Sequence, residues 1–204
     1  METLKRLYFS KHDPALLPRI RAAVVGIAGA GGLGSNVAFS LARVGIGKLI
    51  IADYDDVEIS NLNRQQYFIG QLGKPKVEAL KENLEKINPF SEYEIYLKKI
   101  SRSNIARIFG DCQILVEAFD RAEMKEMLIE SWLEYFPDKP LVAASGLAGY
   151  GKNEALHTSR YDNVYICGDE TSELPPRISP MAPRVALVAN MQANLVLQLI
   201  LEQK

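Results

Sequence analysis

From residue 22 onward, short continuous apolar runs alternate with stretches whose apolar positions recur at helical spacing. The run A-A-V-V-G-I-A, ending at Ala28, is the pattern of a strand buried on both faces, as in a parallel sheet. A glycine cluster at 29–34 follows, then a small-residue helix, S-N-V-A-F-S-L-A-R-V, which Gly45 and Gly47 end. K-L-I-I-A-D predicts the second strand. Between Pro75 and Asn88, Val77, Leu80, Leu84 and Ile87 fall on one helical face, and Pro75 suits a first turn. E-Y-E-I-Y-L alternates like a strand, I-A-R-I-F predicts a short helix, and Q-I-L-V-E-A is another buried strand. A helix from Ala122 to Tyr135 and a strand at P-L-V-A-A-S complete the alternation.

This order predicts an α/β fold: a doubly wound, Rossmann-like, mostly parallel sheet with right-handed crossovers. After Gly151 the pattern changes. E-A-L-H-T-S-R and N-V-Y-I-C-G read as short strands with no helix between them, which predicts a small antiparallel C-terminal extension. The proline-rich stretch 175–183 reads as a loop, and Val185 to Glu202 as a strongly apolar closing helix. The first twenty residues form a polar, helical lead-in punctuated by Pro14 and Pro18. One domain over 1–204 is expected, with 1–20 as lead-in and 151–204 carrying the extension and last helix; 204 residues suffice to bury a core.

Charge narrows the partners. Lys plus Arg number 24 against 25 Asp plus Glu, a formal net charge of −1, which offers no basic field for nucleic acid and no polybasic membrane patch. The longest apolar stretch, Val185 to Leu201, is broken by Asn190, Gln192, Asn194 and Gln198 and falls short of the ~20 apolar residues of a membrane span. The N-terminus has no apolar core of a signal peptide. The two cysteines, Cys112 and Cys167, form no C-x-x-C pair and stand far from His12 and His157, so no zinc site is expected. A reduced, cytoplasmic protein is the expectation.

Gly29-Ala30-Gly31-Gly32-Leu33-Gly34 satisfies G-x-G-x-x-G between a predicted strand and a predicted helix. Glycines let the backbone approach phosphates, and the helix N-terminus offers unpaired N–H groups and the positive dipole end. Asp53 ends the second strand near the ~20-residue spacing at which an acidic side chain meets ribose hydroxyls. The fingerprint alone does not separate ATP from a nicotinamide or flavin dinucleotide, and tight helix–strand packing would also use these glycines.

The next segment separates them. After Asp53 the chain inserts a polar loop with Ser60, Asn61, Asn63, Arg64, Gln65 and Gln66, then Lys74 and Lys76 at a helix start. A Lys at a helix N-terminus opposes the macrodipole, so Lys76 implies a bound anion. Arg64 suits bidentate phosphate contact and Lys76 acts as a point charge; Lys74 reads as solvated surface charge. Asp120 lies just past the strand Q-I-L-V-E-A-F, at the carboxyl end where open α/β sheets bind ligands. It can hold Mg²⁺ beside a triphosphate, cap the following helix, or do both.

The blocks G-A-G-G-L-G-S, L-I-I-A-D, S-N-L-N-R-Q, G-K-P-K-V-E-A and I-N-P, in this order and spacing, resemble the ThiF/MoeB family, bacterial relatives of ubiquitin-activating enzymes. The compact length and the M-A-P-R-V segment are most similar to the short ThiF-like thiamine biosynthesis proteins. The resemblance implies a homodimeric adenylyltransferase that uses ATP and Mg²⁺ on the C-terminal glycine of a ThiS-like, ubiquitin-fold sulfur carrier. It places Gly29, Gly31, Gly32 and Gly34 around the nucleotide, Asp53 at the ribose, Ser60, Asn61, Arg64 and Lys76 at the phosphates, and Asp120 at the metal. Arg64, Lys76 and Asp120 would carry the catalysis.

The chain departs from longer family members in lacking their zinc cysteines and the N-terminal R-x-x-R-Q segment, and in having Arg121 where Asn is usual after Asp120. Arg6, Lys11 and Arg19 match no motif for the missing segment. Other readings are the same chemistry on a molybdopterin-type carrier, a peptide or a tRNA base; an NAD-dependent oxidoreductase, for which little chain remains after Tyr150; and a non-catalytic binding module. Cys167, in a predicted loop or strand edge, is a lesser candidate for sulfur transfer.

Overall fold

A computed structural model describes residues 1–172 and 180–202. The elements are α1 (Glu2–Tyr8), α2 (Leu17–Ala22), β1 (Val24–Ala28), α3 (Gly32–Val44), β2 (Lys48–Asp53), α4 (Lys76–Ile87) and β3 (Glu92–Leu97). They continue with α5 (Arg102–Phe109), β4 (Ile114–Glu117), α6 (Ala122–Tyr135), β5 (Leu141–Ser145), β6 (His157–Tyr161), β7 (Val164–Gly168) and α7 (Ala182–Glu202). The lead-in is two short helices, with Pro18 in the first turn of α2. Residues 175–179 of the proline-rich stretch lie outside the described residues.

All seven strands share one sheet in the order β3-β2-β1-β4-β5-β7-β6. β1 pairs in parallel with β2 on one side and β4 on the other, so the winding reverses between β1 and β4. The two late strands do not form a separate unit. β7 joins the main sheet parallel to β5, and β6 is antiparallel to β7 at the edge.

Successive strand residues point to opposite faces, and each face is covered. Val25, Ile27, Leu49, Ile51, Ile114, Val116 and Val142 pack under α3, α4 and α7. Ile50, Ala52, Leu115, Leu141 and Ala143 face Ile105, Ile108, Phe109, Leu128 and Trp132 of α5 and α6. Burial on both sides explains why the central strands are continuous apolar runs.

Among the described residues α7 is the one helix long and apolar enough to cross a membrane. It lies against α3 and β5 with Val185, Val188, Ala189 and Val196 buried. Of its polar residues Gln192 is used inside that packing, its Nε2 donating to the carbonyls of Glu117 and Val142, while the exposed Asn190 accepts from Ser40 Oγ at 2.7 Å through Oδ1.

Candidate nucleotide site

The glycine turn sits at the carboxyl end of β1, where the winding reverses. Gly29 has φ +102°, a conformation costly for any side chain, and its N–H donates to Ala52 O. A Cβ on Gly34 would lie 1.9 Å from Gly29 O, so the first turn of α3 can close on the strand only with glycine there. No side chain caps α3, which leaves its N-terminal amides available to an anion.

Two side chains clamp the turn at Ala30. Its N–H donates to Asp53 Oδ2 at 2.6 Å, and its carbonyl accepts from the buried Tyr67 hydroxyl at 2.6 Å. Asp53 Oδ1 accepts from Asp55 N–H. Burial pushes the Asp53 carboxyl up, partly offset by the N–H groups of Asp55 and Ala30 and by the Lys76 charge. Burial likewise raises the Tyr67 phenol. Asp53 thus holds the turn in shape from the position predicted for a ribose contact.

The polar loop contributes in different ways along its length. Ser60 Oγ donates to Glu58 Oε2, and Asn61 Oδ1 accepts from Glu58 N–H, so both engage their own short 3₁₀ turn. Arg64 leans on the glycine turn: a Cβ on Gly32 would be 3.7 Å from Arg64 Cγ. Its Nη1 donates to Ser60 O and Asn63 Oδ1, and no carboxylate among the described residues pairs with it. The guanidinium is therefore fixed in place and not neutralised.

Lys76 stands at the start of α4, as the sequence predicts. It is buried, 6% exposed, because the loop ahead of α4 folds back over it through the Asp56–Pro75 bridge and the bond from Val57 N–H to Lys74 O. Its Nζ lies 2.9 Å from Asp55 Oδ2, so part of the negative charge that Lys76 implies is internal. Two of its three N–H donors remain for a phosphate. Lys74 pairs with the exposed Glu82, in keeping with a surface charge.

Asp120 is exposed in the turn between β4 and α6 and makes no hydrogen bond or ion pair among the described residues. It does not cap α6, whose N-cap is Arg121. Its neighbour Phe119 reaches the glycine turn from the other side, with Cδ1 3.4 Å from where a Gly29 Cβ would be. Phe119 also lines a cavity of about 50 Å³ with Asp53, Tyr54, Asp55, Lys98, Ile100 and Met124. Among the described residues no three His, Cys, Asp or Glu side chains group as a metal cage. A lone free carboxylate suits Mg²⁺, which keeps waters and substrate phosphates as its other ligands.

Asp55 and Glu117 carry no signal in the sequence, and Gln65 is marked there only as one residue of the polar loop. Gln65 is 8% exposed, with Oε1 buried and unpartnered and Nε2 close to Gly31. Its only sequence signal is its place in the run N-R-Q-Q. Asp55 is hidden among the acidic residues after Asp53, and Glu117 reads simply as part of a strand. Cys167, expected at a loop or strand edge, is fully buried inside β7, where burial pushes its thiol up.

The sequence profile of the ThiF family matches residues 4–204. The chain belongs to the ThiF family. A tRNA threonylcarbamoyladenosine dehydratase of Bacillus subtilis is 33% identical over 147 residues, covering 69% of this chain and 57% of that protein. The adenylyltransferase and sulfurtransferase UBA4 of Candida glabrata is 30% identical over 190 residues, 90% of this chain and 43% of its own length. The chain therefore spans about half the length of these two ThiF-like relatives. The crystal structure of the E. coli tRNA N6-threonylcarbamoyladenosine dehydratase in complex with AMP shares the fold, with a TM-score of 0.85 at 21% identity over 95% of this chain and 92% of that one.

Proposed function

We propose that this ThiF-family chain is an ATP-dependent adenylyltransferase acting on the C-terminal glycine carboxylate of a ThiS-like, ubiquitin-fold sulfur carrier in thiamine (thiazole) biosynthesis. The observation that carries the reading is the unneutralised Arg64 guanidinium lying against Gly32 of the glycine turn, in a chain that also buries Lys76 beside Asp55 and leaves Asp120 exposed and unpaired among the described residues. Arg64, Lys76 and the amides of α3 would receive the triphosphate, and Asp53 the ribose. Asp120 would hold Mg²⁺, which when bound neutralises phosphate charge. The chain is proposed to work as a single-domain, cytoplasmic homodimer without zinc.

The substrate carboxylate is ionised at neutral pH, so no general base is required. It forms a bond to the α-phosphorus in line as the bond to the β-phosphate oxygen breaks, and pyrophosphate leaves with that electron pair. What remains for the protein is alignment and stabilisation of developing charge, which fits a site with cations and no His, Ser or Cys constellation. Arg64 and Lys76 would supply donors where the leaving pyrophosphate gains charge.

Similarity to the B. subtilis dehydratase favours one second reading, the same activation of a carboxylate on a tRNA nucleoside. The net charge of −1 counts against it. Incubating the protein with ATP, Mg²⁺ and either a ThiS-like carrier or tRNA, then reading acyl-adenylate by mass, separates the two. Titration calorimetry should show Mg·ATP binding and no NAD binding; tight NAD binding with none for ATP would overturn both readings.

The thiols take no part in this scheme. Cys167→Ala should leave carrier-dependent ATP–pyrophosphate exchange nearly unchanged, because its buried, raised-pKa thiol is a poor nucleophile. Loss of exchange with circular dichroism intact would contradict that, and one zinc per chain in metal analysis would contradict the zinc-free proposal.

A further inference from the structure

Glu117 ends β4 fully buried, yet it is a carboxylate in a position where the sheet interior is otherwise apolar. Its Oε1 accepts from Phe119 N–H at 2.7 Å, and its Oε2 lies 2.7 Å from Lys125 Nζ. Lys125, in the second turn of α6, also donates to Ala144 O at the end of β5 at 3.1 Å. One buried carboxylate therefore grips both limbs of the turn that carries Asp120. The backbone leading into the turn is held by Ala118 N–H to Ala28 O and by Gln192 Nε2 to Glu117 O, but among the described residues α6 has no side-chain cap and Asp120 has no internal partner. Burying an ion pair costs desolvation that a well-packed apolar pair avoids, so stability alone is a weak reason for this one.

We propose that Glu117 and Lys125 are a positioning pair that holds the β4–α6 turn so that the Asp120 carboxylate meets the cation bound with the nucleotide. This rests on the assignment of Asp120 to Mg²⁺ above. The pair acts through Asp120 and touches no substrate.

The test uses the full chain, a non-reacting α,β-methylene ATP analogue and Mn²⁺, with free Mn²⁺ read by electron paramagnetic resonance and no turnover involved. Lys125→Met leaves a buried unpaired carboxylate and should lower the melting temperature. The Glu117→Gln/Lys125→Met double variant removes both charges and should melt near the parent. Both should still bind Mn²⁺ in the nucleotide complex about tenfold more weakly, the usual scale for losing a group that orients a metal ligand. Metal-free analogue affinity should not change, and Lys125→Arg should rescue Mn²⁺ binding. A double variant that melts and binds Mn²⁺ like the parent would overturn the positioning role and leave the pair as packing. If Asp120→Asn itself leaves Mn²⁺ affinity unchanged, the metal assignment falls, and the positioning role with it.

Discussion

Arg64→Ala should lower carrier-dependent ATP–pyrophosphate exchange by about 10²-fold or more, the scale of losing one contact made to transition-state charge. The guanidinium is held by two bonds inside its own loop and faces no carboxylate among the described residues, so its charge is free for a ligand. Few native contacts disappear with it, and the melting temperature should barely move. Lys76 needs a different substitution because it is buried. Lys76→Met keeps the aliphatic stem and leaves Asp55 half-exposed to water, so the fold should hold while exchange falls by a similar ~10²-fold. If both variants keep full exchange, the phosphates bind elsewhere and the proposed function loses its main support.

The difference between these two residues marks the limit of what the sequence discloses. The central strands are legible because burial on both faces leaves no alternation to misread, and β2, β3 and α6 end where the pattern places them. The glycine turn is legible because φ at Gly29 and the close approach at Gly34 admit little else. The burial of Lys76 is not, because it depends on a loop folding back over a helix start, a contact without periodicity. Asp55 as its partner is obscured by Asp53 and Asp56 nearby. Glu117 and Lys125 sit on different elements, so neither strand nor helix spacing links them. The pairing of β7 with β5 is a tertiary choice: the same two short strands could have stood as a separate hairpin.

The largest expected loss of stability lies away from these groups, at Arg184 in the first turn of α7. It is 3% exposed, and its Nη2 lies 2.6 Å from Asp169 Oδ2 while Nη1 donates to Gly151 O at 2.6 Å. The pair ties the loop after β5 and the end of β7 to α7, whose next residue, Val185, packs against Gly32 of the glycine turn. Asp169→Ala leaves a buried guanidinium without its counter-charge and should cost about 3–5 kcal/mol. For a chain of this size that lowers the melting temperature by roughly 10 °C. Burial alone would push the Asp169 carboxyl up, but the N–H groups of Ser172 and Thr171 and the Arg184 charge outweigh it and hold it at about 2. The folded value thus lies below the unfolded one of ~3.9, so this stabilisation is full above that pH and is lost as pH falls toward about 2. Denaturant titrations should show the gap between parent and Asp169→Asn narrowing across that window. Curves that stay parallel would mean that Asp169 does not carry this charge-dependent stability. Because the clasp also backs the residue lying on Gly32, the same variant should bind Mg·ATP more weakly at neutral pH even where it remains folded.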